Sequence, residues 1–473
     1  MTKLECFKAY DVRGRVPEEL NEDVAYRIGR AYAKFVNPTR VAICRDIRDS
    51  SDALTEALVR GLTDAGVNAL DIGVSGTELA YFATFHKDLD GGIMVTASHN
   101  PPNYNGMKFV REQSRPISAD TGLAEIRALA EKEDFSAVTQ PGTVEKLALI
   151  SDYIAHLLSY IEIGSLRPMK IVANAGNGGA GPIIDLLEPH LPFEFIKVHH
   201  EPDGSFPNGV PNPMLEENRQ ITIDHIRNSN ADLGIAWDSD FDRCFFFDEN
   251  GHFIEGYYIV GLLAQSFLDK SPGERIVHDP RLTWNTLEVV TSNGGSTVQS
   301  KSGHAFIKQT MRENDDVYGG EMSAHHYFRD FSYADSGMIP WLLITEILCR
   351  RNQPLSELVN ERIARFPASG EINRKVKNTD EILARVEEQY APEALRVDLV
   401  DGFSAEYANW RFNIRAYNTE PLLRLNVESR GDKKLMRART EELLEAIGGE
   451  PGGGLQDGRP FSGGLERPNC QPS

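Results

Sequence analysis

The sequence predicts an α/β protein: three successive strand–helix units with mostly parallel, mixed sheets, then a smaller α+β unit with an antiparallel sheet. Three observations predict it. From Val41 to Cys349 short apolar runs alternate with helical periodicity, the pattern of parallel strands covered by helices. Beyond Phe366 the pattern becomes strict alternation, with Trp410, Phe412 and Ile414 followed by Leu423, Leu425 and Val427. That implies antiparallel strands with one open face. And 473 residues are more than one core serves, so several domains are expected.

Composition narrows the function. A formal net charge of −20 argues against a nucleic-acid or anionic-membrane binder. No apolar run reaches membrane-spanning length, and Met1 to Phe7 lacks a signal peptide's apolar core. The five cysteines (Cys6, Cys44, Cys244, Cys349, Cys470) form no CxxC pair. Reduced thiols in a cytoplasmic protein are therefore expected, not a disulfide frame or a structural zinc site.

In the first unit, Lys8 to Arg15 is a charged turn containing Arg13. Asn21 opens a helix with Glu22 and Asp23 in its first turn. Val41 to Cys44 is a strand, Leu54 to Ala65 a helix stopped by Gly66, and Leu70 to Gly73 a strand. Gly91 to Val95 reads as a buried strand leading into Thr96-Ala97-Ser98-His99-Asn100-Pro101. Ligands of such sheets bind beyond the carboxyl ends of the strands, where Ser98 stands. Asn105-Gly106 then turns the chain and delivers Lys108. A serine with a lysine close by can act as nucleophile and base, or as phosphoryl carrier and proton shuttle.

In the second unit, Lys170 to Ala173 leads into Gly176 to Gly181, formally GxGxxG, with Glu201 downstream. This supports a rival, a nicotinamide-dependent oxidoreductase. Ala231 to Trp237 is a buried strand ending in Asp238-Ser239-Asp240-Phe241-Asp242-Arg243. Three carboxylates at alternate positions are costly unless a cation sits among them, and hard oxygen ligands suit Mg²⁺. A calcium loop with Glu249 at its twelfth position fails, because Arg243 stands where glycine is needed and strands flank the loop.

In the third unit, Arg275 to His278 is a strand followed by Arg281. Lys301 to His304 is a polar loop, and Val317-Tyr318 leads into Glu321-Met322-Ser323-Ala324-His325-His326. Both loops can hydrogen-bond sugar hydroxyls or phosphates. Ile339 to Cys349 is a core helix. In the fourth unit, Asp380 to Tyr390 and Lys434 to Ile447 are helices, and Arg415 to Pro421 is a polar turn able to hold a phosphate. The breaks give domains at 1–148, 149–250, 251–366 and 367–447, with a Gly/Pro-rich tail, 448–473, that reads as disordered.

Four motifs stand in fixed order: TASHNP, DSDFDR, GGEMSAHH and RAYNTEP. Together they resemble the α-D-phosphohexomutase superfamily. CFKAYDVRG and GGEMSAHHYFRDF are most similar to its bacterial phosphomannomutase branch. The resemblance implies four domains around a central cleft. It implies interconversion of mannose 6-phosphate and mannose 1-phosphate, in GDP-mannose biosynthesis, through a phosphoserine and a hexose 1,6-bisphosphate. A phosphoglucomutase or dual-specificity enzyme is the alternative. More distant ones are the oxidoreductase and a phosphosugar-binding protein without turnover.

Residue by residue, the resemblance makes Ser98 the phosphorylated serine, with His99 beside it and Lys108 the general base and acid. Asp238, Asp240 and Asp242 hold Mg²⁺, with a Ser98 phosphate oxygen completing the set. Arg13 and Arg243 stabilise the transferring group. Glu321, Ser323 and His325 meet the sugar, and Arg281, Lys301 and His304 line the cleft. Arg415, Asn418 and Thr419 hold the phosphate that is not reacting. A hexose 1,6-bisphosphate serves as activator. The implied partners are phosphohexoses, with no nucleic acid, membrane or protein partner. The chain departs from the pattern at Ser239 and Ala324, where glycine is usual, and at Tyr417, where serine is usual; a side chain at 239 is expected to strain the turn.

Overall fold

The computed structural model describes residues 3–136, 139–417 and 421–452. Asn418, Thr419 and the tail from 453 onward lie outside them. Four sheets follow one another along the chain.

The first is a seven-stranded mixed sheet in which Gly91–Val95 lies between parallel Arg40–Arg45 and antiparallel Tyr104–Arg111. All five residues of Gly91–Val95 are buried, as its unbroken apolar run requires. Val12–Arg15 adds to the far side of Tyr104–Arg111, which brings Arg13 into register with Gly106. The helix Glu22–Val36 starts where expected: Asn21 caps it by accepting from the Val24 amide at 3.1 Å. The helix expected from Leu54 begins a turn earlier, at Ser51, and ends at Thr63. Ser51 is buried there, its hydroxyl donating to Asp46 at 2.5 Å.

The second sheet has five strands, with Leu233–Trp237 parallel to Met169–Asn174 and antiparallel to Cys244–Phe247. The three-aspartate segment is therefore the connection of a hairpin, and all of it is buried. The glycine-rich turn at 176–181 packs behind that connection. A Cβ on Gly178 would stand 2.7 Å from the Ser239 carbonyl oxygen, and one on Gly179 2.9 Å from the Phe241 ring. Those glycines make room for the aspartate loop, so the space a dinucleotide would need is filled. Glu249, the twelfth position of the rejected calcium loop, instead accepts from Ser356.

In the third sheet Arg275–His278 is parallel to Ser296–Gln299 and Tyr318–Gly320. The loops carrying Arg281, Lys301 to His304 and Glu321 to His325 all follow the carboxyl ends of these neighbours, as the strand rule predicts. Helix Ile339–Arg351 is buried over nearly its whole length.

The fourth sheet is six-stranded and antiparallel throughout. Two expectations change here. Its second face is not open: Arg411, Asn413, Asn426 and Glu428 alternate with the apolar residues and are also buried. That face packs on the third unit. Arg411 donates to the Pro280 and Arg281 carbonyls at 2.8 and 3.0 Å. Glu428 accepts from the Thr283 amide at 2.7 Å, at the start of helix Trp284–Ser292. Alternation alone cannot separate a solvated polar face from one satisfied by another domain. The sheet also runs past 447, because Glu450–Pro451 pairs with Arg374–Lys375.

Candidate active site

Ser98 ends the buried strand on a turn with φ +48, left-handed and uncommon for a non-glycine residue. Its amide donates to Thr96 Oγ1 at 2.8 Å. Its hydroxyl donates to Asp238 Oδ2 at 3.0 Å and lies 3.0 Å from His99 Nδ1. The first and second units thus meet at the serine oxygen. Arg243 Nη2 lies 2.7 Å from the same His99 nitrogen. An arginine only donates, so Nδ1 keeps its lone pair. Burial, helped by the Arg243 and Arg13 charges, holds the His99 pKa well below the ordinary imidazole value. Arg13 reaches the same loop, donating to Asn100 Oδ1 at 2.5 Å.

The aspartates divide their oxygens. Asp238 Oδ2 accepts from Arg243 Nε at 3.0 Å and Nη2 at 2.7 Å. Asp240 Oδ2 accepts from Thr77 at 2.5 Å and Lys108 at 2.7 Å, and Asp242 Oδ2 from Lys108 at 2.6 Å. One oxygen from each lies within 4.8 Å of the others. Asp240 Oδ1 and Asp242 Oδ1 are buried with no hydrogen-bond partner among the described residues. Burial, with the Asp240 charge beside it, pushes Asp242 up to about 6. Burial works against Lys108 as an ammonium, but Asp240 and Asp242 outweigh it and hold its pKa well above the ordinary range. Three carboxylates face two touching cations, so anionic charge remains. Orphaned carboxylate oxygens in that setting fit a hard divalent cation.

From the third unit, His325 engages Asp335 Oδ2 through Nδ1 at 2.9 Å, and its ring is within the same 4.8 Å of an Asp242 oxygen. Glu321 is buried and occupied: Oε1 accepts from the Gly303 amide at 2.8 Å, Oε2 from Tyr327 at 2.6 Å. Arg281 is buried among Asp279, Glu321, Glu371 and the Ser323 hydroxyl. His304 stacks edge-on with Tyr10 of the first unit, at 5.6 Å between centroids. Lys301 stands apart, exposed, its ammonium 5.6 Å over the Phe306 ring. In the fourth unit Arg415 lies 3.3 Å from Glu371, and Arg424 3.2 Å from its other oxygen.

The departures resolve differently. Ser239 is not left-handed; the left-handed residue of that loop is Phe241, φ +43, so a side chain at 239 does not strain the backbone. Ala324, φ +70, does occupy a conformation that favours glycine. The Tyr417 ring lies under the Arg424 guanidinium at 4.0 Å.

Sequence reasoning missed Asp46, Arg48, Thr77, Glu371 and Arg424. Asp46 and Arg48 follow the carboxyl end of Arg40–Arg45, so the rule that picked out Ser98 applied to them as well. Thr77 and Glu371 carried no local signal, because their partners are far along the chain: Asp240 and Lys108 for Thr77, and Arg281, Arg415 and Arg424 for Glu371.

Comparison with known proteins agrees with this architecture. Four family models match in order: phosphoglucomutase/phosphomannomutase alpha/beta/alpha domain I at residues 4–137, domain II at 151–251, domain III at 255–366 and the C-terminal domain at 371–446. The chain is similar to an Escherichia coli phosphomannomutase, 59% identical over 455 residues, covering 94% of this chain and 100% of that one. A Xanthomonas campestris protein named phosphohexose mutases is 57% identical over 447 residues, covering 94% and 100%. Among solved structures, a phosphoglucomutase/phosphomannomutase family protein from Burkholderia thailandensis superposes with a TM-score of 0.85 at 31% identity, covering 94% of this chain and 98% of that one. The chain belongs to the phosphoglucomutase/phosphomannomutase family, within the α-D-phosphohexomutase superfamily.

Proposed function

We propose that this chain is a phosphomannomutase that interconverts mannose 6-phosphate and mannose 1-phosphate through a phosphorylated Ser98. The observation that carries the mechanism is the Ser98 hydroxyl 3.0 Å from a carboxylate of the three-aspartate loop in the next domain. The names of full-length relatives at 59% and 56% identity support the substrate.

Phosphoryl transfer asks mainly for alignment and charge neutralisation. In the proposed cycle the Ser98 Oγ–phosphorus bond breaks as a bond forms to a hydroxyl of the bound hexose phosphate. That hydroxyl loses its proton to a base, and the product is a hexose 1,6-bisphosphate. The bisphosphate turns over, and its other phosphoryl group returns to Ser98. Arg243 and Arg13 are cations that reach side chains of the serine loop, at His99 and Asn100. Asp238, Asp240 and Asp242 would hold Mg²⁺, which when bound supplies positive charge beside the transferring group.

Two groups compete as base. Lys108 serves only when released from Asp240 and Asp242. His325 is oriented by Asp335 and leaves Nε2 available. Glu321, Ser323 and His304 face the sugar, and Arg415 with Asn418 and Thr419 takes the distal phosphate. Arg281 is the buried organiser behind both. The described cysteines are buried free thiols, and no described helix is long and apolar enough to cross a membrane, which supports a cytoplasmic setting.

The relative named phosphohexose mutases favours a second reading, a dual mannose and glucose mutase. Measuring kcat/KM for mannose 1-phosphate and glucose 1-phosphate side by side separates the two. A strong mannose preference is expected, comparable values make the enzyme dual, and no turnover of either refutes the mutase.

A further inference from the structure

We propose that Arg48 and Ser239 form a two-domain clasp on the backbone of the Ser98 loop, and that both, on the reading of Ser98 as phosphoryl carrier, are positioning residues for the transfer. The Arg48 side chain has no exposed surface. Its two terminal nitrogens reach four carbonyls of one loop: Nη1 donates to Pro101 at 2.8 Å and Tyr104 at 2.9 Å, and Nη2 to Ser98 and Asn100, each at 2.6 Å. Nη1 and Nη2 carry four N–H groups, so every one has a carbonyl. Nε faces Asp46 Oδ2 at 3.3 Å, and that oxygen accepts from Thr96 Oγ1 at 2.7 Å. The same Thr96 oxygen receives the Ser98 amide. One ion pair thus governs the Ser98 carbonyl directly and the Ser98 amide through one hydroxyl.

The second domain closes the clasp. The Ser239 hydroxyl donates to the Ser98 carbonyl at 3.1 Å, and Ser239 is fully buried. Its neighbour Asp238 receives the Ser98 hydroxyl, so serine main chain and side chain are both registered against the aspartate loop. Phe206, also of the second domain, lies 5.1 Å from the guanidinium. The device has a purpose. Ser98 sits at φ +48, a conformation a non-glycine residue keeps only where its surroundings over-determine it. A planar five-donor fork suits four converging carbonyls, and a lysine reaches fewer of them. At position 239, where the family pattern expects glycine, the hydroxyl adds a bond between domains without left-handed strain.

The test uses the full chain, stripped of phosphate and mixed with glucose 1,6-bisphosphate and Mg²⁺. Phosphorylation of Ser98 is followed by rapid quench and intact mass. Ser239→Ala is expected to slow phosphorylation about fivefold, the loss of one neutral hydrogen bond. Arg48→Lys is expected to slow it about a hundredfold. KM for mannose 1-phosphate in Ser239→Ala stays within about twofold of wild type, because the clasp faces the loop backbone, not the sugar. Wild-type phosphorylation rates in Ser239→Ala, or a raised KM with unchanged phosphorylation, would overturn the clasp. If Arg48→Lys does not fold, Ser239→Ala decides alone. A wild-type chain that takes up no phosphoryl group refutes Ser98 as carrier, a different failure.

Discussion

Replacing Glu371 by glutamine tests how the third and fourth domains are held together. Glu371 is buried, yet Arg281 of the third domain and Arg415 and Arg424 of the fourth all converge on its carboxylate, at 3.2 to 3.3 Å. Burial alone would raise its pKa; the Arg424, Arg415 and Arg281 charges overturn that and pull it from 4.5 to about 2. At 1.36 kcal/mol per unit, the difference is worth about 3 kcal/mol of stability. This is the upper end, because burial outweighs Glu371 at Arg424 and lowers that arginine's pKa. The sign follows from the direction of the shift. A carboxyl depressed by folding contributes fully above its unfolded pKa and loses the contribution as pH falls toward about 2.

Urea unfolding of wild type and Glu371→Gln, with the fourth domain's transition followed separately, provides the assay. The variant should be less stable by up to about 3 kcal/mol at pH 7, and the gap should narrow by up to about 1 kcal/mol at pH 4. A gap equal at both pH values would refute the electrostatic account and leave glutamine's effect to shape alone. Kinetics give an independent reading: with its arginines no longer gathered, Glu371→Gln should raise KM for hexose phosphates more than it lowers kcat.

Four shorter predictions accompany it. Ser98→Ala should lose nearly all turnover while still binding mannose 1-phosphate by calorimetry; undiminished turnover would remove Ser98 from the mechanism. EDTA should abolish activity and Mg²⁺ restore it, and Asp240→Asn should raise the Mg²⁺ concentration needed for half activity at least tenfold. His325→Ala should flatten the acidic limb of the kcat profile if His325 is the base, whereas an unchanged profile hands the proton to Lys108. Tyr417→Ser should raise KM up to about fivefold, because it removes the ring beneath Arg424, a contact worth about 0.5–1 kcal/mol at an exposed site. A lowered KM would instead mean that the tyrosine obstructs phosphate capture.

What the sequence disclosed depended on whether the relevant contacts were local. The strand before Ser98, the Asn21 cap and the aspartate hairpin were legible because each is fixed by neighbours within a few residues. Thr77, Glu371 and Arg48 act on atoms 163, 44 and 50 positions away, and no periodicity reports such pairings. The open face expected for the last sheet failed for the same reason: Arg411 and Glu428 are satisfied by Pro280 and Thr283, which only the fold brings near. Ser239 is the sharpest case. By residue type it read as a strained departure from glycine. Its strain depended on φ and its use on a partner in another domain, and neither is written in the local sequence.

The charge of the whole chain illustrates the same separation of scales. A protein of formal charge −20 should repel a phosphate dianion at long range. Inside a Debye length of about 8 Å the local arrangement governs instead. There Asp238, Asp240 and Asp242 exceed the two cations that touch them, Lys108 and Arg243, so the aspartate loop keeps surplus negative charge and suits a metal cation beside a phosphate in motion. Arg281, Arg415 and Arg424 gather on Glu371, with Asp279, Glu321 and Asp401 also against them, so their charge is met within the protein. Arg415 and Arg424 suit a phosphate held at rest by exchanging a carboxylate partner for a phosphate one, not by surplus charge. A hexose carrying phosphate at both ends presents the same charge in either orientation, and this symmetry is what a mutase needs to return the other phosphoryl group to the same serine.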